Sequence, residues 1–279
     1  MNSLLLEALF IADGAIFGVL IRQALGQLAL RVAFFPGEAF ANVLGSFLMG
    51  VVSKNHSVFA GKFQLAVLTG WTTGMCGSLT TFSSWTTSLS FSVVLSGTWE
   101  GALNGFAEVV LGLLSYFAAF KCGWIVGEAA TSEKSASEFS ATCDSELDSE
   151  TETTVKVPQP HYPGIWASVL LVALYGILLP VYLVYSSSWV DVVVLPSMWA
   201  PAGALSRWLL GKNLNKPQFP FGTLTANLIA ATAASCIQGL YWHASLTQWW
   251  KALSGGLLGS LSTISSFVAE TCKLSRLRG

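Results

Sequence analysis

The chain has 279 residues, of which 14 are Lys or Arg and 15 are Asp or Glu, so only 10% are charged, against roughly 25% in soluble domains. Apolar residues make up 53%, with 26 glycines and 11 tryptophans, and the mean hydropathy is +0.60. Such a chain can neither cover a core with polar surface nor present a basic patch, which excludes a soluble enzyme, a disordered chain and a nucleic-acid binder. The class that remains is an all-α polytopic membrane protein, each span needing about 20 apolar residues.

Hydropathy predicts eight spans in chain order, at 4–30, 38–53, 63–95, 102–126, 164–186, 190–211, 221–242 and 249–274. Glu7 and Asp13 interrupt the first and no basic stretch precedes it, so it reads as a span rather than a cleaved leader. Between Gly127 and Tyr162 the composition changes. Glu128, Glu133, Glu138, Asp144, Glu146, Asp148, Glu150 and Glu152 face only Lys134 and Lys156 there. Without apolar periodicity, this stretch is expected to be a solvated, disordered connector. Cys76, Cys122, Cys143, Cys236 and Cys272 show no metal-type spacing and are expected as small core residues. With the N-terminus on one side, that side receives Lys54, Lys62, Lys121, Lys134, Lys156, Lys212, Lys216, Lys273, Arg276 and Arg278, and the other only Arg31 and Lys251. The positive-inside rule then places the N-terminus and the acidic linker in the cytoplasm.

The chain contains itself twice. Gly18, Arg22, Gly37 and Asn42 recur 185 residues later as Gly203, Arg207, Gly222 and Asn227. The block GMCGSLTTFSS (74–84) recurs 182 residues later as GLLGSLSTISS (256–266), with seven of 11 positions identical. Three blocks in one order at nearly one offset define a tandem repeat. Five predicted crossings precede the second repeat, so it enters the membrane from the opposite side, giving an inverted-topology pair. The expected organisation is a first repeat of four spans (1–127), an acidic linker (128–163), a lone inverting helix (164–186) and a second repeat of three spans (187–279).

Chemistry concentrates in the repeated blocks. GSLTTFSSW (77–85) and GSLSTISSF (259–267) place glycine and consecutive hydroxyls inside apolar spans. A helix break in a membrane is tolerated only where its backbone groups find protein partners, an ion or water. Freed carbonyls can bind a cation, and freed N–H groups and hydroxyls an anion. Asn42 and Asn227 need a partner in hydrocarbon, either another helix or a permeating anion. Arg22 and Arg207 lie toward span ends and read as snorkelling or as vestibule charges that attract an anion. Glu108 and Glu270 are acids within apolar spans and therefore costly.

These motifs resemble the Fluc/FEX (CrcB-like) fluoride channel family, and within it the fused two-repeat exporters. The family's marks are GxxxR in the first helix, GTxxxN in the second and a G-[ST]-x-[ST]-T-F-S-[ST]-F block in the third. They stand here as GVLIR (18–22), GEAFAN (37–42) and GSLTTFSSW (77–85), then GALSR (203–207), GTLTAN (222–227) and GSLSTISSF (259–267). The resemblance implies a passive, fluoride-selective channel in the plasma membrane, exporting F⁻ from the cytoplasm as a single-chain pseudo-dimer. It implies a central Na⁺ on backbone carbonyls, at positions matching Gly77, Thr80, Gly259 and Ser262. It implies pores lined by an Asn, by hydroxyls and by aromatic edges, carried here by Asn42, Phe82, Ser83, Asn227, Ser265, Ser266, Phe267 and Glu270, with Arg22 and Arg207 at the vestibules.

Departures from the pattern add expectations. One pore would pair Phe82 with Phe267, and the other Ile264 with Trp85, so one intact and one degenerate pore are expected. Repeat one carries Ser88 where repeat two carries Glu270. The resemblance implies nine spans; eight are predicted, the sequence ending at Gly279 after the third span of repeat two. Two other readings use the same residues: an inverted-repeat coupled transporter relying on Glu108, and a non-conducting paralogue short of a last helix.

Overall fold

In hydrocarbon, backbone polar groups have no water to bind, so long apolar runs satisfy them internally as helices. The computed structural model describes residues 3–32, 37–54, 62–145, 163–184, 188–243 and 248–277. Repeat one contains α1 (Ser3–Val32), α2 (Gly37–Lys54), a broken third helix, and α6 (Trp99–Ser145). The broken helix consists of α3 (Lys62–Thr69), a π-helical turn (Gly70–Cys76), α4 (Gly77–Leu79) and α5 (Phe82–Ser96). Then come α7 (Pro163–Val184), α8 (Ser188–Leu214), a short hairpin of β1 (Asn215–Lys216) with β2 (Phe219–Pro220), and α9 (Phe221–His243). The last segment repeats the break, with α10 (Gln248–Ala252), a π-helical turn (Leu253–Leu258), α11 (Gly259–Leu261) and α12 (Ser265–Leu277).

The helical segments coincide with the eight hydropathic stretches. Among the described residues, four helices are by length and composition alone long and apolar enough to cross a membrane (Ser3–Ala29, Trp99–Ala130, Phe221–Leu240 and Trp249–Ser275), and Trp166–Tyr182 is a shorter apolar helix. One expectation fails. The disordered connector was to begin at Gly127, yet α6 continues to Ser145. Extending a helix already nucleated in the apolar part needs no new nucleus, and the Ala and Glu of 128–145 favour it. At 47 residues this helix is about 70 Å long, well beyond a bilayer core. The rest of the linker lies outside the described residues.

The burial pattern is that of a protein in lipid. Phe106, Leu111, Leu114, Trp166, Val172, Ile177, Leu228 and Leu240 are exposed on outer helix faces. Arg22, Asn42, Ser78, Thr80, Thr81, Arg207, Asn227, Ser262 and Thr263 are buried. Of the cysteines, Cys76 is buried as expected, but Cys122 and Cys236 are exposed, since they sit on these lipid-type faces.

The two halves meet along α1 and α8, where Ile11, Ala15 and Val19 pack on Ala200 and Ala204. Ala15 and Val19 are the counterparts of Ala200 and Ala204 at the 185-residue offset. A patch packing on its own counterpart is the signature of a two-fold interface. Each first helix also presses on the broken third helix of its own repeat. A Cβ on Gly18 would come 2.5 Å from the Met75 carbonyl oxygen, and one on Gly203 would overlap that of Leu257. These glycines set how closely the following arginine approaches the break. We expect Gly18→Ala or Gly203→Ala to destabilise the fold by about 1–3 kcal/mol, because backbone on both sides must shift. A lowered thermal midpoint in detergent checks this, whereas Gly26→Ala, with open space at its Cβ, leaves it unchanged.

Candidate functional site at the crossed helix breaks

Each third helix loosens before it breaks. The π-helical turn precedes α4 or α11, and the chain then extends at Thr80 (φ −93°, ψ 150°) and Ser262 (φ −91°, ψ 156°). Thr81 caps the restarting helix, its hydroxyl accepting from the Ser84 N–H at 3.3 Å. Thr263 does the same for Ser266 at 3.3 Å. Hydroxyls at an N-cap satisfy donors that the broken helix leaves free.

Asparagine side chains clamp the extended residues. The Thr81 N–H donates to Asn42 Oδ1 at 2.8 Å, and Asn42 Nδ2 returns a bond to the Thr81 carbonyl at 3.2 Å. Asn227 holds Thr263 identically, at 2.8 and 3.1 Å. Of the two roles open to these amides, the helix–helix bond is the one the structure contains, and each fixes a backbone unit that has no helical partner.

The arginines take the freed carbonyls. Arg22 Nη1 donates to Ser78 O at 2.6 Å and Gly259 O at 3.0 Å, and Nη2 donates to Gly255 O. Arg207 Nη1 donates to Gly77 O at 2.9 Å, Ser262 O at 3.1 Å and Ser260 O, and Nη2 donates to Thr73 O at 2.5 Å. Each guanidinium therefore crosses to the other repeat's break while still touching its own. Of the two roles read for them, their burial excludes snorkelling. At 5% and 3% exposure neither is an interfacial or snorkelling charge, although Arg22 keeps an edge on a polar cavity. A charge this deep is sustained by directed acceptors, and the breaks supply them.

Hydroxyls complete the crossing. Thr80 Oγ1 lies 3.0 Å from Ser265 Oγ and 3.1 Å from Thr263 Oγ1. The counterpart Ser262 Oγ lies 2.8 Å from Ser83 Oγ and 3.3 Å from Thr81 Oγ1. Ser83 and Ser265 are fully buried, and also donate to Leu258 O and Cys76 O, at 3.3 and 3.1 Å. Two of the three expected pore hydroxyls, Ser83 and Ser265, thus belong to an inter-repeat hydrogen-bond lattice. Ser266, whose N–H the Thr263 hydroxyl caps, is half-buried.

The aromatic positions converge on one cluster. Trp85, Tyr116, Phe120, Ile264 and Val268 are its buried members, and Phe82 and Phe267 border it half-buried. Trp85 stands edge-on to Phe82, with centroids 6.1 Å apart, and to Tyr116, at 5.5 Å. Glu270 stands apart from it. Its Oε1 accepts from Thr223 Oγ1 at 2.8 Å and Asn215 Nδ2 at 3.0 Å. Asn215 belongs to the α8–α9 hairpin, and its Oδ1 accepts from Gly222 N at 2.7 Å. Sequence reasoning missed Asn215, whose only signal is its distance from any span. It also missed Tyr116, 1% exposed, which lies near the Asn42 amide while its hydroxyl bonds no described group.

The carbonyl oxygens of Gly77, Gly259 and Ser262 are uncharged, converge from both repeats and already face cationic nitrogens. A cation held there would have to share these oxygens with the guanidiniums through their second lone pairs.

A family model described as CrcB-like protein, Camphor Resistance (CrcB), matches residues 9–120 and 194–278. The chain belongs to the CrcB-like family. The fluoride export protein 1 of Candida albicans is 27% identical over 297 residues, covering 96% of this chain and 72% of that protein. The fluoride-specific ion channel FluC 2 of Staphylococcus haemolyticus is 38% identical over 79 residues, 28% of this chain and 64% of its own length. The fluoride-specific ion channel FluC of Bordetella pertussis is 43% identical over 76 residues, 26% of this chain and 58% of its own length. No solved structure matches this CrcB-like chain.

Removing a clamp leaves a buried N–H and C=O unpaired, at about 1–3 kcal/mol for each group. We expect Asn42→Ala and Asn227→Ala each to lower the thermal midpoint measurably. Arg207→Lys should lower it too, because one ammonium cannot serve the four carbonyls that two guanidinium nitrogens reach.

Proposed function

We propose that this CrcB-like protein is a passive fluoride-selective channel that lets F⁻ leave the cytoplasm across the plasma membrane. The observation that carries this is the crossed pair of helix breaks, with half-buried Phe82 and Phe267 beside them. The inverted repeats joined by α7 form a single-chain pseudo-dimer, with the N-terminus and acidic linker cytoplasmic. Fluoride is small and holds its water strongly, so a path must replace that water with directed donors. Hydroxyls and ring edges, the positive sides of aromatic rings, are such donors. The guanidiniums add a positive field while their N–H groups stay on carbonyls. The anion is therefore attracted without a fixed cationic trap that would hold it too long to conduct.

Of the two aromatic pairs, Phe82 with Phe267 forms the intact pore in this reading. What supports it is exposure: both rings are half-buried, whereas Ile264 and Trp85 are buried under Tyr116. Asn42 and Asn227, with Ser83 and Ser265, hold the breaks in shape, while Ser266 and Glu270 line the path. The carbonyls of Gly77, Thr80, Gly259 and Ser262 would hold Na⁺, which would supply a fixed positive charge at the centre. Arg207 shares two of those oxygens with the ion, so its charge weakens Na⁺ binding.

The test is fluoride efflux from liposomes containing the purified chain, followed with a fluoride electrode. Fast F⁻ efflux without Cl⁻ efflux, abolished by Phe82→Ile and by Phe267→Ile, is the expected result. Efflux untouched by both substitutions would reject this path. For the cation, exchanging Na⁺ for N-methylglucamine is expected to lower the thermal midpoint of the wild-type chain. Indifference to that exchange would remove the Na⁺ assignment.

A further inference from the structure

In repeat two a carboxylate on the third helix meets a hydroxyl at the start of the second. Glu270 Oε1 accepts from Thr223 Oγ1 at 2.8 Å. The offsets that relate the repeats are 185 residues for the second helix and 182 for the third. Applied to this pair, they lead to Glu38 and Ser88. The residue types are exchanged: the acid now sits on the second helix and the hydroxyl on the third. In the structure Glu38 and Ser88 line one cavity of about 450 Å³, together with Ser84, Thr87 and Arg22. Ser84, Thr87 and Ser88 occupy one face of α5, at three- and four-residue spacing. Repeat one differs: the Thr223–Glu270 pair is closed by contact and held by Asn215, whereas Glu38 and Ser88 line a common cavity.

We infer that Glu38 is the working counterpart of Glu270, the carboxylate and hydroxyl having exchanged helices between the repeats. This rests on the anion-path reading and names a positioning residue for it. A carboxylate oxygen that accepts from hydroxyls occupies the place an anion would take. It keeps those donors turned inward until an anion competes for them. Glu270 does this for Thr223 and Asn215, and Glu38 shares its cavity with the α5 hydroxyls. The competing explanation gives Glu38 no such role. It stands in the first turn of α2, where any acid gains from the helix dipole. On that account a carboxylate at position 88 could not replace it.

The experiment compares Glu38→Thr, Ser88→Glu and the double exchange in the full chain, by anion efflux from liposomes and by thermal unfolding in detergent. Glu38→Thr removes one acid, and Ser88→Glu adds a third carboxylate to a cavity that Glu38 and Asp191 already line beside Arg22 and Lys251. Each single variant is expected to slow efflux roughly tenfold, and Ser88→Glu to lower the thermal midpoint. The double exchange recreates the repeat-two arrangement and is expected to return both readings to near wild type, a non-additivity reserved for interacting residues. Single effects that simply add, in efflux and in midpoint, would overturn the inference while leaving fluoride conduction intact. A wild-type chain without fluoride efflux, whose midpoints still recover in the double exchange, would reject the fluoride reading and keep the pair.

Discussion

A helix cannot be broken inside a membrane without leaving amides and carbonyls in a medium that offers them nothing. This chain breaks two, and most of its buried polar chemistry follows. The extended residues Thr81 and Thr263 each need a donor and an acceptor, and one Asn side chain supplies both. The carbonyls upstream of each break need donors, and a guanidinium brings several in a fixed fork. Gly18 and Gly203 are there because an arginine four residues on must reach that backbone. Motifs that look separate in the sequence therefore answer one requirement, which explains why GxxxR, the helix-two Asn and the Gly-Ser-Thr block recur together.

The crossing of the arginines links the repeats energetically. Arg22 touches Gly255 and Gly259, and Arg207 touches Thr73 and Gly77. Neither break is satisfied by its own repeat alone. Interhelical hydrogen bonds in lipid are worth on the order of 1 kcal/mol each, yet an unpaired buried charge is far more costly. The halves are thus obligatory partners, and the apolar seam of α1 with α8 needs little specificity of its own.

Much of this was legible beforehand. Eight apolar stretches, two repeats and both breaks follow from spacing and composition. The roles of Arg22 and Arg207 were not legible, because position within a span does not tell which carbonyls lie opposite. An arginine near a span end snorkels when nothing better is near, and here freed carbonyls from both repeats are near. Nor was it legible that the hydroxyls of Ser83 and Ser265 bond across the repeats, to Ser262 and Thr80. Both have one origin: a single repeat shows the donors, and only the pair shows the acceptors. The helical continuation through 128–145 was missed for a different reason. Polarity argued for solvation, and solvation does not prevent a helix already begun from extending.

Two-fold symmetry in one chain also frees each half to change alone. The lattice of hydroxyls, amides and guanidiniums is almost unchanged between repeats, because its guanidiniums and hydroxyls reach the other half while its amides hold the breaks they reach. Away from that lattice the halves diverge: Phe82 against Ile264, Trp85 against Phe267, Ser88 against Glu270 and Glu38 against Thr223. A ring lost from one side leaves the shared scaffold intact, since Trp85, Ile264 and Tyr116 simply pack into a drier cluster. A change at Arg22 or Asn42 would undo both sides together. Strict matching in the scaffold beside free divergence along its flanks is what a doubled chain should show when one path suffices and one frame is required.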